Sequence, residues 1–272
     1  INGYEVKTQN SSFITNSGTL KLIDSQNVLD EEGIITTQAG SIQGTGIVVE
    51  NNGTLVNEGA YITTTGSSTV ENAGVVNIIS GTVEGYGSNG VIHNSENGEI
   101  KVSSGKVRLT DSVFYNDHVK TIYNESSKEN AVILEKGILD LSTARAGGYS
   151  GSKAGIISNK GIVTINGGEI QGTGSSEGST GVSAEGTAKI IVNDGTIKVN
   201  STIAYLTSGE IEINNGTLTS GSRGINYGSY SSNGKVTING GTISSYYQSV
   251  YMYGLTNPTL TITGGTLTST DG

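Results

Sequence analysis

One short unit recurs along this chain and limits what it can fold into: two apolar residues two apart, then Asn-x-Gly, then Thr or Glu, then an aliphatic residue. It reads VTINGGEI at 163–170, IIVNDGTI at 190–197, IEINNGTL at 211–218, VTINGGTI at 236–243 and LTITGGTL at 260–267. Weaker copies are ITTQAGSI at 35–42, NIISGTV at 77–83 and IKVSSGKV at 100–107. In every copy the Gly stands three places after the second strand position: Gly40, Gly81, Gly105, Gly168, Gly195, Gly216, Gly241 and Gly265. Those strand positions fall at 37, 78, 102, 165, 192, 213, 238 and 262, at intervals of 41, 24, 63, 27, 21, 25 and 24 residues. One degraded copy in the first gap and two in the third would give ten turns of about 22 residues.

The chemistry of the unit explains its spacing. Val-x-Ile alternation presents every second side chain to one face of a strand. Asn-Gly and Gly-Gly supply left-handed backbone at low cost, so the chain turns a corner there. The β-branched Thr that follows starts the next strand. An all-β parallel β-helix or solenoid is predicted, one elongated domain over 1–272 with about 11 coils of roughly 21–27 residues. An antiparallel sandwich with Asn-Gly hairpins is the alternative, but hairpins would not demand the same residue types at this period. Residues 108–136 break the rhythm with charge, Phe114, Tyr115, His118 and Tyr123, and read as an irregular crossing or a looser coil. Residues 143–155 and 171–181 read as loops.

A second pattern, aliphatic-x-Asn-x-Gly, appears within ITNSG at 14–18, LVNEG at 55–59, VENAG at 70–74 and IISNKG at 156–161. It places Asn16, Asn57, Asn72 and Asn159 at equivalent corners, where stacked amides would satisfy main-chain groups that the turn buries. These NGGTI corners and Asn turns resemble right-handed parallel β-helices of the pectate-lyase type. More narrowly, they resemble Gram-positive surface proteins such as the ligand-binding regions of serine-rich-repeat adhesins of lactobacilli and β-helical polysaccharide-binding proteins. The resemblance covers roughly residues 13–270 and lies in turn chemistry. No site motif of those families is shared, so no ligand residue carries over. It implies a right-handed helix, a secreted setting anchored in the cell wall through regions outside this segment, and binding of a glycan or a host surface.

Composition sharpens the exclusions. Gly and Ser make up 42 and 34 of the 272 residues, a level typical of disorder unless the residues recur with a period, as they do here. With no Cys, disulfides, thiolate catalysis and Cys metal sites are excluded, and two His (His93, His118) leave little for zinc or imidazole chemistry. Apolar runs such as AVIL at 131–134 are far too short for a spanning helix, so no membrane insertion is expected. No signal-peptide core follows Ile1, and the chain reads as a segment of a longer protein. A net charge of −9 argues against nucleic acid and anionic lipid. Residues 1–150 hold 17 acids and 9 bases, whereas 151–272 hold 7 and 6, so an uncharged partner would prefer the second half.

A polysaccharide lyase or hydrolase needs positioned carboxylates, often with Ca2+, and a Lys or Arg base. Seven Asp and three Arg (Arg108, Arg145, Arg223) offer no carboxylate pair that recurs at one place in neighbouring copies. Asp24 with Asp30-Glu31-Glu32 reads as a solvated corner, and Asp117-His118 as a surface pair. No cofactor is expected, and no motif supports Ca2+. The uneven signal is aromatic: there is no Trp, and of 13 Tyr seven lie at Tyr205, Tyr227, Tyr230, Tyr246, Tyr247, Tyr251 and Tyr253. Aligning IAYL, INYG and VYMY at 203, 225 and 250 puts these rings in consecutive coils. Tyr offers a flat apolar face with a hydroxyl at its edge, which suits sugar rings; Arg223 and Gln248 would add polar contacts. Parity with Ile203 and Ile225 gives Tyr205 and Tyr227 an inward reading as well, whereas Tyr246 and Tyr247, being adjacent, cannot both face a core. The expectation is a non-catalytic glycan-binding or adhesin module. A lyase or hydrolase acting on pectin-like polysaccharide and a structural stalk or fibre element are the alternatives.

Overall fold

The computed structural model describes residues 1–110, 118–142, 152–173, 178–228, 233–254 and 256–271. These residues form strands, turns and no helix. Consecutive strands along the three main sheets do not pair with each other; each pairs, in parallel, with the strand one coil further on. The first sheet has eleven strands, from Glu5–Lys7 to Thr266–Ser269. The second and third have ten each, from Ser12–Asn16 to Val250–Met252 and from Thr19–Ile23 to Asn257–Ile262. Each coil contributes one strand to each sheet, which makes the chain a parallel β-solenoid and excludes the hairpin sandwich.

Inside, like stacks on like: Val83 on Val107, Ile170 on Ile197, Leu218 on Ile243. These residues are fully buried, and apolar side chains from all three sheets merge into one core running from Leu22 to Ile243. Burying one such side chain is worth about 1.5–3 kcal/mol. A single coil carries only a few of them, so it is held by its neighbours rather than by itself.

The corner from the third sheet to the first is where the repeat motif lies. Gly81, Gly105, Gly168, Gly195, Gly216, Gly241 and Gly265 all take positive φ there, between 74° and 113°. The coils are also in close contact: a Cβ on Gly168 would lie 2.4 Å from the Gly137 carbonyl oxygen. Glycine is therefore required twice over, for its backbone angle and for the approach of the coil beneath.

Two expectations change. Residue 37 is not equivalent to the other strand anchors, because Ile35–Thr37 pairs antiparallel with Val28–Leu29 in a hairpin outside the three main sheets. The 63-residue interval hides one strand rather than two: Val102 pairs with Leu134 and Leu134 with Ile165, giving coils of 32 and 31 residues. The stretch 108–136 contains two regular strands, His118–Asn124 and Val132–Leu134, in the second and third sheets. Residues 111–117, with Phe114 and Tyr115, lie outside the described residues, as do 143–151 and 174–177. Coil length varies because the turns vary, while the strands keep their register.

The Asn corners split into two ladders. The first is buried at the end of the second sheet, where Asn16, Asn51, Asn72, Asn94 and Asn124 stand in register. Each Nδ2 donates to the next Oδ1 at 2.7–2.8 Å, and Asn124 donates to Ser158 Oγ at 2.9 Å. Asn57 and Asn159 are not in it. Asn57 sits in the third sheet and caps Ala60, and Asn159 lies one residue past the ladder and donates to the Tyr123 hydroxyl. The second ladder is exposed, at the corner after the third sheet. It runs Asn166, Asn193, Asn214, Asn239 and Thr263, with bonds of 2.8–2.9 Å.

Candidate functional site

The register of the second sheet places Ser183, Tyr205, Asn226 and Tyr251 in one outward column. Neighbouring strands are about 4.8 Å apart, so Tyr205 and Tyr251 stand about 10 Å from each other with Asn226 between them. Tyr205 is 37% exposed. Its ring lies against Gly228, where any Cβ would come within 2.6 Å of the Tyr205 hydroxyl. The Arg223 guanidinium lies 4.1 Å from the centroid of the Tyr251 ring and donates through Nε to Gln248 Oε1 at 3.1 Å. Tyr253 stacks beside Tyr251, centroids 6.1 Å apart and planes 20° from parallel. It is 68% exposed.

Tyr246 and Tyr247 occupy the corner that leads from the first sheet into the second. Both are exposed, with rings edge to face at 4.8 Å. The backbone beneath is tied to the previous coil by the Tyr247 N–H, which donates to the Ser222 carbonyl at 2.9 Å. Five of the seven candidate tyrosines and Arg223 thus gather on one side of the last coils. Tyr230 lies outside the described residues.

Tyr227 is the correction. It faces the interior, 1% exposed, and its hydroxyl donates to the Gly209 carbonyl at 2.6 Å and accepts from the Lys235 N–H at 2.8 Å. It stands in the same register row as the buried Asn ladder, which continues through Ser158, Ala184 and Leu206 to Tyr227. There its hydroxyl serves turn groups much as the Asn amides do lower down. Burial raises its phenol pKa, the bond from the Lys235 N–H opposing. The parity that grouped Tyr205 with Tyr227 fails because Ile203 drops out of the pairing. Ala204, not Ile203, pairs with Ile225, and Tyr205 therefore turns outward.

Two features of the site region went unseen in the sequence. Around the next corner, between the second and third sheets, a groove of about 830 Å3 is lined by Lys189, Glu210, Lys235, Asn257 and Thr259, among others. Its charges are paired, Lys189 with Glu212 at 2.8 Å and Lys235 with Glu210 at 3.1 Å. The Lys189 bond holds the Glu212 carboxyl below its usual range. Farther down the same outward column of the second sheet, His93 bonds Glu71 at 2.5 Å and Glu125 at 3.0 Å and stacks on Tyr123 at 5.3 Å. The bond to Glu71 raises the His93 pKa, burial opposing and Glu125 assisting. In both places the partners lie a coil or more apart in sequence, so no local pattern signals them.

The tyrosine flank offers ring faces, one guanidinium and amide groups. Among the described residues no group of three or more His, Asp or Glu side chains is arranged to hold a metal ion. Such a surface suits stacking and hydrogen bonding. Comparison with known protein families, curated proteins and solved structures finds no match.

Proposed function

We propose that this solenoid is a non-catalytic carbohydrate-binding module of a bacterial surface or secreted protein, an adhesin in the broad sense. Binding takes place on the tyrosine flank of the last coils. The observation that carries this is the arrangement of Tyr205, Tyr251 and Tyr253 with Arg223 on one exposed strip. Rings fixed by neighbouring coils lose little freedom on binding, which favours a preformed surface. The near-neutral charge of the second half suits an uncharged polysaccharide, and the groove lined by Lys189 and Lys235 extends the same coils with further polar groups.

A glycan array followed by titration of the best ligand tests this. Each of Tyr205→Ala, Tyr251→Ala and Tyr253→Ala is expected to weaken binding about 5-fold, the equivalent of about 1 kcal/mol for one aromatic contact. A folded triple variant that binds as well as the parent would overturn the site. An array on which no glycan binds would favour the stalk reading.

A further inference from the structure

The hairpin that interrupts the first coil creates a second site on another face of the solenoid. Its strands Val28–Leu29 and Ile35–Thr37 fold over the outer surface of the first sheet. The tip is ordered: Asp30 Oδ1 accepts from the Glu32 N–H at 3.1 Å and the Ile34 N–H at 2.8 Å. The tip is also fastened to coils well beyond its own. The Gly81 N–H donates to the Gly33 carbonyl at 2.8 Å, and the Gly105 N–H to the Glu32 carbonyl at 2.9 Å. The acidic run at 30–32 is exposed in its side chains, as expected, while its main chain clamps the hairpin down; Asp24 departs from the expected solvated corner, being buried with its Oδ1 accepting from the Gly3 and Gln26 N–H groups.

Between hairpin and sheet lies a cleft of about 230 Å3. Its roof is Ile34, Ile35, Thr36 and Gln38, and its floor is Tyr61, Thr82, Lys106 and Arg108. The floor residues are brought together by register: Tyr61, Thr82 and Lys106 form one outward column, and Glu84, Arg108 and Asp140 the column beside it. Glu84 is buried and organises the floor, accepting from the Tyr61 hydroxyl at 2.6 Å and from Arg108 through Nε and Nη2. Burial and that bond to Glu84 raise the Tyr61 phenol pKa, so it stays a donor. Lys106 lies 3.6 Å from Asp140 Oδ2, farther than a hydrogen bond reaches.

Both carboxylates are nearly buried, with side chains 8% and 5% exposed, and neither lines the cleft. Among the described residues the wall therefore presents two cations, each backed by a nearly buried carboxylate, and no acid, in the half of the chain that carries 17 acids against 9 bases. A guanidinium held in place by a buried carboxylate, next to an ammonium with donors to spare, is a receptor for a planar anion. The two isoleucines opposite suit a compact organic body rather than a bare hydrated ion.

We infer that this hairpin-roofed cleft binds a small organic carboxylate, the acid group on Lys106 and Arg108 and the body under Ile34 and Ile35. The carboxylate could be carried by a free acid or by an acidic sugar. Calorimetric titration with benzoate and glucuronate, against benzyl alcohol and glucose as neutral counterparts, tests it, and a glucuronate-ended oligosaccharide distinguishes a chain end from a free acid. At least one carboxylate is expected to bind saturably and at least ten-fold more tightly than its neutral counterpart. Lys106→Gln is expected to remove ten-fold or more of that affinity, whereas Tyr251→Ala leaves it unchanged, which separates this site from the tyrosine flank. Amide NMR shifts on the unaltered protein serve if Lys106→Gln fails to fold: saturable changes are expected at Ile34–Gln38, Thr82 and Lys106. Equal binding of the neutral compounds, no binding of any carboxylate, an unaffected folded Lys106→Gln, or shifts elsewhere overturns the inference.

Discussion

Replacing Asn94 by Ala separates a hydrogen-bond ladder that holds the solenoid together from one that only decorates it. Asn94 is fully buried, and its Nδ2 reaches Asn124 Oδ1 at 2.7 Å and the carbonyls of Gly98 and Ala131 at 3.0 Å. Its Oδ1 accepts from Asn72 Nδ2 at 2.8 Å. Some neighbours keep other partners: Asn72 Nδ2 still reaches Gly74 and Glu99, and Asn124 Oδ1 still accepts from the Ser126 N–H. The Gly98 carbonyl loses its side-chain donor, while the Ala131 carbonyl still accepts from the Ile100 N–H at 3.0 Å. At about 1–3 kcal/mol for a buried group left unpaired, and with a broken ladder on both sides, Asn94→Ala should cost about 2–4 kcal/mol. Asn214 makes the same Asn-to-Asn bonds at 2.8–2.9 Å in the exposed ladder, where water replaces them, and Asn214→Ala should cost about 0.5 kcal/mol or less. A solenoid loses stability locally, so hydrogen exchange of the flanking coils is the direct readout, with the urea midpoint beside it. Equal losses in the two variants would refute the claim that burial, rather than the ladder bond itself, sets the cost.

Three further outcomes are expected. Gly168→Ala meets both positive φ and a backbone oxygen 2.4 Å away, and should cost about 2 kcal/mol or more by strain alone; Gly18, with nothing within 4 Å and no positive φ, should accept Ala within about 0.5 kcal/mol in the same melt. Tyr227→Phe keeps the ring but strips two part-buried main-chain groups of their partner, and should lower stability by about 1 kcal/mol, whereas Tyr205→Phe should leave it unchanged in urea titration. His93 gains from being protonated between Glu71 and Glu125, so its contribution is full below its ordinary pKa of 6.5 and is lost as pH rises through the raised folded value. Stability measured from pH 5 to 9 should therefore fall on the alkaline side by more in the parent than in His93→Gln, and parallel curves would remove the role assigned to this histidine.

Much of the solenoid was legible because its corner between the third and first sheets is written in local chemistry. At that corner Gly81, Gly105, Gly168, Gly195, Gly216, Gly241 and Gly265 all have positive φ, and the anchors at 78, 102, 165, 192, 213, 238 and 262 stand in one register. The coil through Leu134 was hidden because Gly137 turns its corner without positive φ and LEKG lacks the Asn. Asn16 and Asn72 were found in the buried ladder; Asn51 carries the same local pattern, VENNG at 49–53, and was passed over, whereas Asn94 and Asn124 were missed because turns of different length follow them. Asn57 carries the same local pattern on a different sheet. Register across coils, not the neighbouring residues, decides who stacks on whom. The same limit governs the tyrosines: one unpaired residue, Ile203, sends Tyr205 outward while Tyr227 goes in. The carboxylate cleft had no signature at all, since Tyr61, Thr82 and Lys106 become neighbours only through stacking.

In-register parallel stacking can be read directly, because the chain has no native Cys. Thr217 and Thr242 are register partners on the outer face of the first sheet, about 4.8 Å apart, whereas Lys235 lies on the third. Pyrene attached to the pair Thr217→Cys and Thr242→Cys should give strong excimer emission within a monomer, and the pair Thr217→Cys and Lys235→Cys should give none. Absent excimer in the first pair, or equal excimer in both, would contradict the stacking on which both binding sites depend.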